Sequence, residues 1–209
     1  MKLRPIILMI LLSTAAVTAA QIRIDALGED DGALELSYHI DNLLDNNSLD
    51  LLQRGIASQV THHIQLWKQK GFVNPLIKEL FLTMRIYYDT WEKKYRIVSE
   101  DENRLTTQLE TVKERCSALR AVRIVAMKEL EPNQDYYLSI SVSFQPISAE
   151  SFTAVSTIFD DGAKKSGSRK GRGGYLSVLV NLLGLGDRKF SLKTPEFRIL
   201  ESGQILFNQ

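Results

Sequence analysis

Tyr136, Leu138, Ile140, Val142 and Phe144 alternate with Tyr137, Ser139, Ser141 and Ser143 without a break. A strand sends successive side chains to opposite faces, whereas a helix repeats about every 3.6 residues, so this period of two commits the stretch to a sheet. One face is apolar and the other wet, which is the mark of antiparallel pairing; parallel sheets are covered on both faces and read as continuous apolar runs. The same period recurs in Leu34, Leu36, Tyr38 and Ile40 against Glu35, Ser37, His39 and Asp41, and again in Leu80, Leu82, Met84, Ile86 and Tyr88. Each apolar face needs a covering layer, and a second sheet is the simplest one.

The remaining elements follow from their local chemistry. Ile22-Arg23-Ile24-Asp25 reads as a strand, and Gly28-Glu29-Asp30-Asp31-Gly32 as the hairpin loop after it. Asn46-Asn47-Ser48 offers an N-cap for a short helix through Leu49, Leu51 and Leu52, which Gly55 closes. Residues 56–67 read as a strand with Ile56, Val60, Ile64 and Leu66 on one side and Gln59, Thr61, His63 and Gln65 on the other, so His62 and His63 diverge. After Gly71 and Pro75, residues 80–89 pair with Lys94–Val98 across Asp89-Thr90-Trp91-Glu92. Residues 104–119 switch to a stripe of Leu105, Leu109, Val112, Cys116 and Leu119 at helical spacing. Strand alternation resumes at Val122, Ile124 and Ala126, and Glu131 to Asp135 is a turn by composition. The expected fold is mainly β: an antiparallel β-sandwich-like domain of seven or eight strands with one central helix and a short C-terminal helical segment. A mixed α+β arrangement is the alternative.

The two ends of this pattern differ from it. Lys2 and Arg4, the apolar run Ile6 to Leu12 and the small residues Ala15 to Ala20 form the three regions of a secretory signal peptide over residues 1–20. The expectation is therefore an exported protein, periplasmic or at the outer face of the inner membrane. Residues 21–159 form the β-rich body. Residues 160–174 read as a flexible basic glycine-rich loop, since 7 of the chain's 12 glycines fall between 162 and 186. Residues 175–209 supply an apolar helix and a final strand, Phe190 to Ile199, that complete the same domain. Cys116 is the chain's single cysteine. No intramolecular disulfide can form, and its place in the helical stripe marks it as a buried thiol.

The order of these elements carries a resemblance. Leu51-Leu52-Gln53-Arg54-Gly55-Ile56 leads into His62-His63-Ile64-Gln65-Leu66-Trp67; Met84-Arg85-Ile86-Tyr87-Tyr88-Asp89 is followed by Lys94-Tyr95-Arg96-Ile97; Leu130-Glu131-Pro132 precedes Tyr136-Tyr137-Leu138. Phe190-Ser191-Leu192-Lys193-Thr194-Pro195 extends the pattern near the end. In these segments the chain resembles the bacterial domain of unknown function family DUF4390. The resemblance implies an exported, two-layered β-rich protein and brings no catalytic residues with it.

Chemistry-bearing patterns are sparse. The adjacent His62 and His63 cannot share a metal from one strand face, and no His or Cys recurs at ligand spacing, so neither metal nor cofactor is expected. There is no Gly-x-Ser-x-Gly elbow, and Gly171-Arg172-Gly173-Gly174 matches neither a dinucleotide fingerprint nor a P-loop. An enzyme, such as an envelope hydrolase, would need at least two of His39, His62 and His63 to converge on a carboxylate. With a formal net charge of +1, nucleic acid is not an expected partner. Local charge is more informative: Lys164, Lys165, Arg169, Lys170 and Arg172 precede Tyr175, Leu176, Leu179 and Leu183. Cations beside a short apolar helix suit contact with an anionic membrane or a partner; equally, the helix can pack over an open sheet edge. Tyr87 and Trp91 are candidates for an exposed aromatic ledge, against the plainer reading of cross-strand pairs. The function expected is that of a non-enzymatic, exported envelope protein that binds another protein, with lipid or anionic-surface binding as the alternative.

Overall fold

The computed structural model describes residues 21–147 and 188–207. Two antiparallel sheets carry the fold. The smaller has the order β1 (Ile22–Asp30), β2 (Ala33–Ile40), β7 (Ala118–Ala126). The larger runs β11 (Ile205–Phe207), β10 (Phe197–Ile199), β8 (Gln134–Pro146), β3 (Ser58–Lys68), β4 (Leu76–Asp89), β5 (Lys94–Val98), β6 (Asn103–Thr106). β9 (Arg188–Lys193) pairs with β8 further along the edge that β10 uses. The mainly β, antiparallel, sandwich-like expectation holds, and the central helix is α2 (Leu109–Ser117). The expected C-terminal helical segment lies outside the described residues.

The alternation that fixes the sheets also fixes the core. β3 is paired along its whole length, Ser58–Lys68 with β8 and Ser58–Trp67 with β4, and its even-numbered residues face inward. Val60, Ile64 and Leu66 have no exposed surface, nor do Leu34, Leu36 and Tyr38, which face them from β2. Truncating one of these leucines to alanine would cost about 2–5 kcal/mol, because the packed neighbours cannot collapse into the gap.

Several boundaries differ from the sequence reading, each for a physical reason. β1 continues to Asp30, and the hairpin closes in two residues, Asp31 and Gly32, both at positive φ (45° and 71°). That is the Asp-Gly turn whose twist matches its strands. β4 begins at Leu76, four residues before its expected start, because pairing with β3 overrides the charged interruption Lys78-Glu79. The helical stripe expected over 104–119 is helical only over Leu109–Ser117; Asn103–Thr106 pairs with β5 as an edge strand, leaving Leu105 exposed, and Leu119 lies in β7. The single strand expected from Phe190 to Ile199 breaks at Thr194-Pro195 into β9 and β10. With these additions the described residues hold eleven strands, against the seven or eight expected.

α1 (Asn46–Gln53) is capped one residue earlier than expected: the Asp45 carboxylate accepts from Ser48 N at 2.8 Å and Ser48 Oγ at 2.7 Å. Gly55 follows at φ +84°, the left-handed conformation a helix stop requires. Arg188 at the start of β9 ties back to this cap, at 3.3 Å from Asp45 and 2.7 Å from the Leu43 carbonyl.

Candidate interaction groove

The two flanks of the sandwich are not alike. On one, β1 and β9 approach each other; on the other, β7 approaches β4, and α2 leans between β7 and the β5–β6 hairpin above a hollow of about 550 Å³. The hollow is walled by Leu82 and Met84 of β4, Ser99 to Glu102 of the β5–β6 turn, Glu114 and Arg115 of α2, and Ala118, Leu119, Val122 and Arg123 of β7. His62 also lines it.

Strand lengths explain why this flank is open. β4 has fourteen residues, all but a few of them paired with β3, but β5 covers only Arg85–Asp89 on its other side. Among the described residues nothing pairs with that other side of Leu76–Met84. The chain turns away at Ser99, where the line of β5 would otherwise run on beside Met84. Several other edges are blunted, although β9 is regular over its six residues and pairs only with β8 among the described residues. β7 carries two register shifts against β2, with Ala121 at φ +51° within one of them, and β1 carries one at Ile24/Ala26. β6 has four residues and β11 three. Bulges and short edges discourage a further strand. Lys78–Met84 is regular, with the nearest irregularity just before it, where Ile77 is the extra β4 residue opposite Leu66/Trp67 of β3.

The vacant position has a recess on each face. The inward residues Leu82 and Met84 border the large hollow, the outward residues Phe81 and Arg85 border a second space of about 280 Å³ with Val98, and Thr83, Ser99 and Glu100 line both. Leu80, Leu82 and Met84 are only half-buried although they face inward, and Phe81 is 60% exposed. Phe81 stacks on His63, ring centroids 4.2 Å apart, and His63 Nε2 lies 2.7 Å from Glu79.

At the floor of the hollow, His62 is 1% exposed. Its Nδ1 is 2.7 Å from the Tyr38 hydroxyl, a contact that spans the two sheets. Burial drives its pKa down to about 4, opposed only in part by the Cys116 carbonyl, so the ring is neutral. The Tyr38 hydroxyl has no other acceptor among the described residues; it donates to Nδ1, and the ring's one proton belongs on Nε2. Nε2 is left to the Cys116 carbonyl, which accepts from it in a geometry looser than an ordinary hydrogen bond.

The rim is charged and unevenly satisfied. Glu102 takes Arg104 at 2.6 Å and Arg115 at 3.1 Å; although burial pushes its pKa up, the two guanidiniums hold it below the usual range. Glu114 pairs with Arg120 at 3.1 Å, and Arg123 with Asp31 at 2.7 Å and Glu35 at 3.1 Å. Glu100 and Asp101, both exposed, form no ion pair among the described residues.

The residues singled out from sequence fall elsewhere. Lys164, Lys165, Arg169, Lys170, Arg172, Tyr175, Leu176, Leu179 and Leu183 lie outside the described residues, as do residues 1–20. The central hairpin divides its aromatics: Tyr88 and Tyr95 pair across the strands at 4.6 Å on the core side, Tyr87 is half-buried, and Trp91 stands 94% exposed in the turn. The histidines occupy three separate surfaces: His39 beside Asp25 at 2.6 Å on the small sheet, His62 between the layers, and His63 on the outer face of the large sheet. No group of three potential metal ligands occurs among the described residues. No helix among them is long and apolar enough to cross a membrane.

Sequence reasoning missed the open edge. The signal was Leu80-Phe81-Leu82, apolar on both faces of a strand whose neighbours alternate. Such a run marks a strand meant to be covered on both sides.

Residues 17–146 match the family described as a domain of unknown function (DUF4390). The chain belongs to that family. The match takes in β1 through β8, so every residue lining the hollow and the whole free edge of β4 lie inside the DUF4390 region, while β9 to β11 and the Phe190–Pro195 segment lie beyond it. No curated protein and no solved structure matches the chain.

Proposed function

We propose that this DUF4390 chain is a non-enzymatic, exported envelope protein that binds another protein by accepting one of its strands beside Lys78–Met84. The observation that carries this reading is the vacant strand position between β4 and the β5–β6 turn, with one recess on its inward face and one on its outward face. Strand addition needs these features together: main-chain groups on a straight edge for affinity, and alternate pockets for side-chain selection. The separation of His39, His62 and His63 also favours binding over hydrolysis, since hydrolytic machinery needs its groups within hydrogen-bond reach. Export rests on the leader-like residues 1–20.

In-cell photocrosslinking tests the site. A benzoyl-phenylalanine replacing Phe81 or Thr83 should crosslink the same partner through one extended segment, and Leu82→Glu should abolish both crosslinks. The same probe replacing Leu206 on β11 should give none. Equal capture from Leu206, or capture that survives Leu82→Glu, would refute the assignment.

A further inference from the structure

We infer that the loop between β3 and β4, residues 69–75, docks this protein on the surface of a lipid bilayer that carries anionic headgroups. This contact does not depend on strand addition at Lys78–Met84.

The loop holds apolar side chains outward on a fixed frame. Phe72 is fully exposed and Val73 is 77% exposed, side by side at the apex. The backbone beneath them is tied down. Gly71 turns at φ +74°, Lys70 N donates to Asn74 Oδ1 at 3.0 Å, and Lys68 N and Gln69 N donate to the carbonyls of Pro75 and Asp135 at 3.0 and 2.7 Å. A frame held this way keeps both side chains in water instead of letting them fold back, which is unfavourable unless something apolar receives them.

What stands behind the apex fits a bilayer better than a pocket on another protein. Leu76, Trp67 and Tyr137 form one row across β4, β3 and β8, with the Trp67 and Tyr137 rings stacked at 6.4 Å. Behind that row come lysines: Lys78 opposite Leu66, and Lys193 opposite Ser139 with its Nζ 3.9 Å over the Tyr137 ring. Ser139 lies two residues past Tyr137, about 7 Å along the strand. Apolar apex, amphipathic aromatics and then cations is the order in which a bilayer presents hydrocarbon, interface and headgroup phosphates, its polar layer being roughly 5–8 Å deep on each side.

Charge favours the same surface. Lys70, Lys78 and Lys193 are exposed and form no ion pair among the described residues. The carboxylates around them are mostly engaged: Glu79 with His63 at 2.7 Å and Gln65 at 2.9 Å, Glu131 with Lys68 at 2.5 Å, and Asp135 with Arg198 at 2.7 and 2.8 Å. Glu196, half-buried in the β9–β10 break, is the exception. Trp91 provides the contrast: it is 94% exposed at the far end of β4, but the acids Asp89 and Glu92 flank it in its turn.

Protein purified from the cell envelope tests this with a fluorophore that reports polarity. Because Cys116 is buried, Val73→Cys and Trp91→Cys each take the label at one site. Vesicles of phosphatidylglycerol and phosphatidylcholine in equal parts should shift the Val73 probe to an apolar emission and leave the Trp91 probe in water. Phe72→Ser/Val73→Ser should weaken co-sedimentation with these vesicles about tenfold or more, with thermal unfolding unchanged because both side chains are exposed. Lys70→Gln/Lys78→Gln/Lys193→Gln should weaken it about fivefold per lysine, the effect of one cation near an anionic surface. Leu82→Glu should leave vesicle binding intact, which separates this contact from the β4 edge. A Val73 probe that vesicles do not move, a Trp91 probe that moves with it, undiminished binding by Phe72→Ser/Val73→Ser, or equal affinity for phosphatidylcholine alone would overturn the inference. So would a Val73 probe that shifts only with the protein captured through Phe81, since the loop would then be a protein contact.

Discussion

His62 and Tyr38 form a buried polar pair between two apolar layers, and their protonation has a thermodynamic consequence. The folded ring titrates near 4 and the unfolded one near 6.5, so between these values the unfolded chain holds a proton that the folded chain does not. Stability therefore rises with pH across that window and is lost as pH falls from 6.5 towards 4, by up to about 3 kcal/mol. Urea melts between pH 4 and 7 should show this slope in the native protein and its flattening in Tyr38→Phe/His62→Leu. His62→Leu alone should be less stable than the double variant at pH 7, because it strands the Tyr38 hydroxyl. Cys116 is the complementary case. Burial raises its thiol to about 12, with Met84 Sδ 3.6 Å from Sγ, so native protein at pH 8 should resist alkylation that proceeds fully in denaturant. The sequence revealed that Cys116 is buried, because helical spacing over Leu109, Val112 and Cys116 is a local property. It did not reveal the role of His62, since the partner that holds its Nδ1 lies 24 residues away in the other sheet.

At the scale of elements, local chemistry decided some boundaries and pairing decided others. The β4–β5 hairpin was legible because alternation and turn residues agree over a few positions. The first turns of α2 were not. Leu105 keeps the helical spacing, but Asn103–Thr106 gains ladder bonds from β5 that a short helical extension cannot match. The same competition lengthens β4 past Lys78-Glu79 and thereby creates the free edge. α1 is a short helix that depends on its cap. Although burial pushes Asp45 up, the hydrogen bonds from Ser48 and the charge of Arg188 hold its carboxylate below the usual range. Asp45→Ala should destabilise the fold by about 1 kcal/mol, while Asp45→Asn, which can still accept from Ser48, should lose less. Chemical denaturation of the two variants measures the difference.

Across the whole molecule, β4 keeps a stretch of unpaired edge among the described residues, and this traces to unequal strand lengths. β3 and β8 are long enough to be fully matched to each other; β4 is as long, but β5 stops after five residues. Two-layer packing was readable from period-two patterning because that patterning is the cause of the layers. The vacancy was not, because it depends on how far a neighbouring strand runs, a relation between elements rather than a property of either. With several other edges among the described residues bulged or short, a straight edge bordered by recesses is a natural place for a partner. The most direct test is amide hydrogen exchange on β4, in the isolated protein and with the partner captured through Phe81. Every second amide of Lys78–Met84 should exchange rapidly in isolation, unlike those of β3, and slow by about a hundredfold in the complex. Protection of those amides already present in isolation, or unchanged exchange in the complex, would contradict strand addition at this edge.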